Sequence, residues 1–407
     1  MPESELVEGA ASGLLSLVTP CPQRLDPARP ASPVDGAPVG LALSGGGFRA
    51  TLAGLGVVQL LEDVGLLPRL RFVSSVSGGS VAAASLATQW PAIRAGASLR
   101  DRVVEPIVTA VSSKSMKLAL VRNLWRTVGP MNRTELLARM FDTWWLDGAL
   151  LEELDPQVRW VFNAANASSG TRFGFERDLL GDYVVGRIAT AGTRIKVATA
   201  AAASAAVPGV FPPLSLPGSL QFPCGSRGRP LLVDGGAYDN TGLEVLDSER
   251  YDGVFTVVLN AGGILQVDRR GWVPIVRDLQ RANSLLYRQS TALRTRSIVP
   301  LFREYEAVRD NAAHQPGGRR RAGILFDLAS DIADKGNVDA FRARFPEHRS
   351  WPSSGNSKDL AFVPTVFDKL ERGLCDALVY RGWWLTGAGL AAYHPDLINI
   401  DRLVAPT

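Results

Sequence analysis

Ser77 stands in the run Val73-Ser74-Ser75-Val76-Ser77-Gly78-Gly79-Ser80, and Asp234 opens Asp234-Gly235-Gly236-Ala237-Tyr238-Asp239-Asn240. A serine hydroxyl is a poor nucleophile until a neighbouring base takes its proton. The small residues around Ser77 permit a tight turn between a buried strand and a helix. Such a turn exposes the oxygen and aims helix-terminal N–H groups at it. Asp234 closes the short apolar run Leu231-Leu232-Val233, and a carboxylate there can accept a proton directly from a serine hydroxyl. Upstream, Val39 to Leu43 runs into Ser44-Gly45-Gly46-Gly47. Consecutive glycines let the backbone amides of Gly45, Gly46 and Gly47 converge on an anion. In acyl transfer that anion is the oxyanion of the tetrahedral intermediate, and losing one donor raises the barrier by about 3–4 kcal/mol. Arg49 either steadies this loop or attracts an anionic head group. Together the three segments specify acyl transfer from an ester by a serine and an aspartate.

Each segment also has a plainer reading. Glycine and serine are ordinary turn residues, and Asp-Gly commonly caps its own backbone; Asp239 and Asn240 are such turn residues. Ser75 occupies the position that glycine takes in G-x-S-x-G, which leaves open a binding or regulatory protein whose catalytic pair has decayed. Ser74, Ser75 and Ser80 are rival nucleophiles, displaced from the centre of the turn. Gly45 to Ala50 satisfies G-x-G-x-x-A, the dinucleotide fingerprint, which needs an acidic residue near the end of the next strand. That strand ends near Val76-Ser77 without one, and Glu62 and Asp63 fall at the end of the intervening helix. His314, His348 and His394 follow Asp234 in the chain order of an α/β-hydrolase triad, but none closes a buried strand. No metal-ligand spacing is present, and no cofactor is expected.

The elements that must position these residues read as strand, helix, strand, helix. Val39 to Leu43 is a continuous apolar run of the kind buried on both faces of a parallel sheet. A helix is expected from about Ala50 to Asp63, a strand over Phe72 to Val76, and an alanine-rich helix from Gly79 to Thr88. This alternation indicates an α/β layered fold. Leu99 to Leu154 reads as helical, Val161–Ala164 and Arg172–Phe175 as strands, and Arg194–Thr199 as a further apolar run. Val254 to Asn260 and Ile324 to Phe326 complete the strands. Helices are expected over Pro274 to Arg296 and Lys358 to Leu378, with Gly317 to Arg321 an exposed loop. Prolines at 20, 22, 27, 30, 33 and 38 exclude regular structure from the second half of residues 1–38. The expected divisions are therefore a proline-rich leader over 1–38, partly disordered, a core over 39–263, and a mainly helical C-terminal region over 264–407 packed on the same core.

With 407 residues, 46% hydrophobic and 21% charged, the composition is that of a globular core. A net charge of +4 is too small to argue for nucleic acid. Cys21, Cys224 and Cys375 are scattered and odd in number, which is no disulfide framework and points to a reducing compartment. The acidic start, Glu3, Glu5 and Glu8, lacks the basic residues of a secretory signal. No run is apolar and long enough to span a bilayer. A cytoplasmic protein, peripheral to membranes, is the expectation.

At this point the sequence resembles the patatin-like phospholipases. Gly40 to Arg49 is similar to that family's oxyanion loop, and Ser75-Val76-Ser77-Gly78-Gly79 to its serine elbow. Ala203-Ser204-Ala205-Ala206-Val207-Pro208-Gly209-Val210-Phe211-Pro212-Pro213 resembles its alanine–proline segment, and Asp234 to Asn240 its D-G-G/A block. All four occur in the family's order over roughly residues 39–263. Ser75 and Ala50 depart from glycines of the pattern, and 264–407 carries no matching motif. The resemblance implies a three-layer α/β/α sandwich, Ser77 as nucleophile, Asp234 as general base, the amides of Gly45, Gly46 and Gly47 as oxyanion hole, and no cofactor. It also implies a membrane phospholipid or other acyl ester as substrate. An apolar entry surface then follows, for which Trp125 to Trp145 and Trp383-Trp384 are candidates.

Overall fold

The computed structural model describes Cys21 and residues 36–123, 131–224, 229–262, 274–311, 313–315, 317–347 and 357–406. Its first strand, β1 (Val39–Leu43), runs into helix α1 (Gly47–Asp63), and β2 (Leu70–Val76) runs into α2 (Gly78–Arg94). The stretch read as continuous helix is broken instead into α3 (Glu105–Ser113), α4 (Met116–Arg122) and α5 (Arg133–Phe141), with short π-helical segments at Arg100–Val104 and Asp142–Leu146 on either side. Four strands follow: β3 (Arg159–Asn166), β4 (Thr171–Phe175), β5 (Leu179–Asp182) and β6 (Gly186–Ala189). Helix α6 (Val197–Ser204), β7 (Leu214–Ser215), β8 (Leu231–Asp234), α7 (Gly236–Asp239) and β9 (Phe255–Asn260) come next. The chain closes with α8 (Pro274–Asp310), β10 (Gly323–Asp327), α9 (Val338–Arg344) and α10 (Arg372–Tyr393).

These strands form one mixed sheet in the order β10-β9-β1-β2-β3-β4-β5-β6, with β8 also paired to β3 and β7 to β8. The five strands from β10 to β3 are parallel; those beyond β3 are antiparallel. Parallel strands are covered on both faces, and side chains alternate between the faces. In β1, Val39, Leu41 and Leu43 enter the main core with α1, α2 and α10, while Ala42 points to a smaller cluster holding Ile298 and Phe302 of α8. Helices thus flank a central sheet, the three-layer α/β/α architecture.

Helices α1 and α10 cross closely. A Cβ on Gly56 would strike the Val379 carbonyl, and one on Gly382 the Ala53 carbonyl. The crossing therefore requires two glycines. It also explains Trp383 and Trp384, which are fully buried, their indole N–H groups donated to Asp63 (2.7 Å) and the Phe345 carbonyl (3.0 Å). They belong to the core, and the expected entry surface does not lie there. Trp125 is outside the described residues.

Other expectations are corrected. The helix placed at Lys358 to Leu378 starts at Arg372. Pro364 lies inside the expected span, and its missing N–H and ring clash stop a helix there. Helix α8 runs on through Pro300 to Asp310, because Ile298 and Phe302 bury beneath it. The apolar run at Arg194 to Thr199 becomes the start of α6. Arg321, read as part of an exposed loop, is buried and ion-paired to Asp252 at 2.8 Å. Cys21 and Cys224 form a disulfide, although the cysteine count suggested none. Their 203-residue separation says nothing about proximity once the β5–β6 turn brings both chains together: Cys21 donates its N–H to the Tyr183 carbonyl and Cys224 to Val185. The count therefore carries no argument about compartment. Among the described residues no helix is long and apolar enough to cross a membrane.

Candidate active site

The register of the sheet decides what meets what. Strand β2 pairs with β3 up to Val76 opposite Asn163. Strand β8 pairs antiparallel with the same edge of β3, Asp234 opposite Ala164. The two strands lie end to end along β3 and point at each other, so their last residues come together although 157 positions separate Ser77 from Asp234. The Ser77 hydroxyl comes close enough to the Asp234 carboxyl to draw its pKa down.

Ser77 has φ 52° and ψ −118° and sits at the N-terminus of α2. A positive φ is costly for a residue with a side chain and persists only where its surroundings enforce it. Here they do. The Ser77 N–H is donated to the Ser204 hydroxyl at 2.9 Å; that hydroxyl is donated to the Asn163 carbonyl at 2.6 Å. The Ser204 carbonyl accepts the Gly235 N–H, and the Ala206 carbonyl accepts the Asp234 N–H. The alanine-rich segment after α6 is thus a brace between the serine turn and the aspartate strand. Ser204 is the residue that motif reading passed over. Its position within Ala203-Ser204-Ala205-Ala206, the one polar side chain there, was the available signal.

The rival serines are spent. Ser74 donates to the Gly242 carbonyl (2.6 Å), Ser75 to that of Val161 (3.3 Å), and Ser80 is bonded to Ser75 and Ser204. Ser75 lies within β2 and is absent from the residues with positive φ. Glycine is therefore not needed at that position, and the departure distorts nothing.

Burial pushes the Asp234 carboxyl up from its ordinary 3.8 to about 6, against the opposing pull of the nearby Ser77 hydroxyl and the Gly236 N–H. The Gly236 N–H lies 2.7 Å from Oδ1. A carboxylate so placed is a stronger base than one in water yet ionised at neutral pH. Asp239 is occupied as a turn residue, accepting from the Thr241 N–H and hydroxyl and the Glu244 N–H.

The three amides of the glycine loop are not equivalent. Gly45 donates its N–H to the Asn240 carbonyl at 3.0 Å. The N–H groups of Gly46 and Gly47 find no acceptor among the described residues, nor does that of Gly78, the residue after Ser77. Gly78 belongs beside them: a Cβ there would land on the Gly47 carbonyl. Thr51 binds the two loops from beneath, its hydroxyl 2.7 Å from the Gly78 carbonyl and 3.3 Å from that of Gly47. Gly46, Gly47 and Gly78 thus keep amide N–H groups without an acceptor among the described residues, on two loops that pack together beside Ser77. Which amides keep no acceptor depends on partners distant in the chain, such as Asn240 for Gly45, and spacing alone does not show them.

Arg49 faces inward. It donates to the carbonyls of Ala261 (2.8 and 3.0 Å), Ala361 (3.4 Å) and Val363, and to the Thr365 hydroxyl (3.0 Å). Desolvation lowers its pKa from 12.5 to about 10. With these donors committed, it straps residues 361–365 onto the loop and has none left for a head group. The same strap supplies the Val366 carbonyl to the Phe48 N–H at 3.0 Å. That carbonyl takes one of the first amides of α1, where a dinucleotide's pyrophosphate would have to sit, and so argues against the dinucleotide alternative.

The histidines lie elsewhere. His394 is buried against the Gly323 carbonyl, 3.2 Å away, and against Phe255, at the opposite end of the parallel strands from Ser77. His314 pairs with Glu304 at 3.2 Å. His348 is outside the described residues. Among those residues no cluster of three His, Cys, Asp or Glu side chains is placed to hold a metal.

One neighbour comes from beyond the matched motifs. Tyr287 of α8 lies beside Gly236, its Cε1 3.4 Å from where a Cβ there would stand. Burial and the Asp234 charge raise its pKa, so it stays a neutral phenol. Its buried hydroxyl has no hydrogen-bond partner among the described residues.

The chain is similar to known proteins. A family model described as Patatin-like phospholipase matches residues 41–247. Among curated proteins none matches the chain in sequence. The solved structure of human GIVD cytosolic phospholipase A2 is similar over 87% of this chain and 59% of its own, with 13% identity and a TM-score of 0.51. VipD from Legionella pneumophila covers 90% of this chain and 72% of its own at 13% identity, with a TM-score of 0.36. The chain spans 59% of the length of the human enzyme, and at 13% identity that likeness is one of fold.

Proposed function

Because the chain belongs to the patatin-like phospholipase family, we propose that it is a lipid acyl hydrolase of the phospholipase A or lysophospholipase type, working through a Ser77–Asp234 pair. The observation that supports this most is the end-to-end meeting of β2 and β8 on β3, which sets the Ser77 side chain beside the Asp234 carboxyl. The Ser77 oxygen attacks the ester carbonyl as Asp234 takes its proton. Negative charge develops on the carbonyl oxygen, and the free amides of Gly46, Gly47 and Gly78 stabilise it; fixed donors in a site shielded from water are worth more than the same donors in solution. The tetrahedral intermediate collapses, Asp234 returns the proton to the departing alcohol oxygen, and an acyl-serine remains. Water then attacks the acyl carbon as Asp234 accepts its proton, the bond from the acyl carbon to the Ser77 oxygen breaks, Asp234 returns the proton to that oxygen, and the fatty acid leaves.

The base works only when ionised. The kcat/KM for release of fatty acid from phospholipid by the purified protein should therefore rise with pH and level off above about 6, the value to which burial pushes Asp234. A profile that bends instead at the ordinary aspartate value of 3.8 would remove Asp234 from the role of buried base. No release of fatty acid from any phospholipid, lysophospholipid or neutral ester would sink the proposed activity.

A further inference from the structure

Helix α8 turns two unlike faces outward and inward. Inward, Tyr287 reaches Gly236, Arg294 pairs with Glu244 at 3.1 Å, and Ile298 and Phe302 bury beneath the sheet. Outward stand Leu285, Leu286 and Leu293, which are 58%, 49% and 57% exposed, interleaved with exposed Arg281, Arg288 and Arg296. From Leu279 to Arg303 the helix holds five arginines and no carboxylate. The excess is local, since the whole chain carries only +4. Among the described residues Arg281, Arg288 and Arg296 make no ion pair.

Leucines and unpaired arginines on one helix face fit one kind of partner: a bilayer with anionic head groups, where the leucines enter the acyl boundary and the arginines meet lipid phosphates. The face also stands in the right place. Leu285 and Leu286 immediately precede Tyr287, whose ring lies beside Gly236 and within the electrostatic reach of Asp234. Across the site, Val366 is 40% exposed and packs against Gly47. Exposed apolar side chains thus stand on both segments that border the site, α8 and the strap ending at Val366.

We propose that the outward face of α8 is the membrane-docking surface, selective for anionic bilayers, and that it delivers lipid to Ser77. This rests on the lipid hydrolase reading, but its test does not need catalysis. The full chain carrying Ser77→Ala is sedimented with phosphatidylcholine vesicles, with and without phosphatidylglycerol. Partition should favour the anionic vesicles and weaken with salt. It should fall about tenfold or more with Arg281→Gln/Arg288→Gln/Arg296→Gln, each arginine near an anionic surface counting for about fivefold, and likewise with Leu285→Ser/Leu286→Ser/Leu293→Ser. With Ser77 intact, both triple variants should hydrolyse a soluble short-chain ester within about twofold of the parent, which shows that they are folded. Undiminished vesicle binding by both variants overturns the docking face. So does a shift from dimer to monomer in light scattering with vesicle binding unchanged, which would assign the face to a second copy. Vesicle binding that follows the prediction in a parent that hydrolyses nothing keeps the docking face and rejects the enzyme.

Discussion

Ser77→Ala and Asp234→Asn should each lower kcat by about 10^4-fold or more, the loss seen when either member of a nucleophile–base unit is removed. Combining them should cost little beyond either alone, because the two act as one unit. Stability separates their effects. Holding Asp234 at about 6 against an ordinary 3.8 means that keeping it ionised at neutral pH costs the fold about 3 kcal/mol. The sign follows from linkage. A carboxyl raised in the folded state contributes stability that is fully present below 3.8 and is lost as pH rises through about 6. Asp234→Asn removes that loss. The inactive variant should therefore melt several degrees above wild type at pH 8, and the two should converge in acid. A lower Tm for Asp234→Asn at pH 8, measured by calorimetry, would contradict the buried-base account even if activity were lost.

Gly78→Ala should be nearly as damaging to turnover, through geometry alone. A Cβ on residue 78 lands on the Gly47 carbonyl, so the serine turn and the glycine loop must separate. The amides of Gly47 and Gly78 then cease to converge, and loss of an oxyanion donor costs about 10^2–10^3 in kcat. Soluble-ester kinetics should show the fall in kcat with KM changed little, since the donors act on charge that develops only in the transition state. A Gly78→Ala protein with near-normal kcat would exclude the Gly78 amide from the oxyanion hole. Gly45→Ala is a weaker test, because the Gly45 N–H is already committed to Asn240.

Much of this site was legible in the sequence, for identifiable reasons. Val39 to Leu43 is apolar throughout because both faces of β1 are covered. Ser77 and Asp234 stand out because each ends a buried strand where glycine lets the chain turn away. What spacing could not show was the pairing of groups distant along the chain. It could not show that Asn240 would occupy the amide of Gly45, or that Arg49 would reach Val363. Nor could it pair Cys21 with Cys224, or show that Ser204 would hold Ser77 in its positive φ. The same limit explains the aromatic residues. Trp383 and Trp384 read equally well as entry surface or as core, and only the close crossing of α1 and α10 decides for core. In sequence the leucines of α8 read only as part of the helix expected over Pro274 to Arg296. They become an apolar surface only when Tyr287 and Ile298 fix which side is inside.

The central claim is that Ser77 is an activated nucleophile because it meets Asp234. Reaction of the purified protein with a fluorophosphonate bearing an acyl chain, followed by peptide mass spectrometry, tests it most directly. The account predicts a single adduct on Ser77 that forms rapidly in wild type and far more slowly in Asp234→Asn. An adduct on Ser74, Ser75, Ser80 or Ser204, or labelling of Ser77 at the same rate without Asp234, would contradict it.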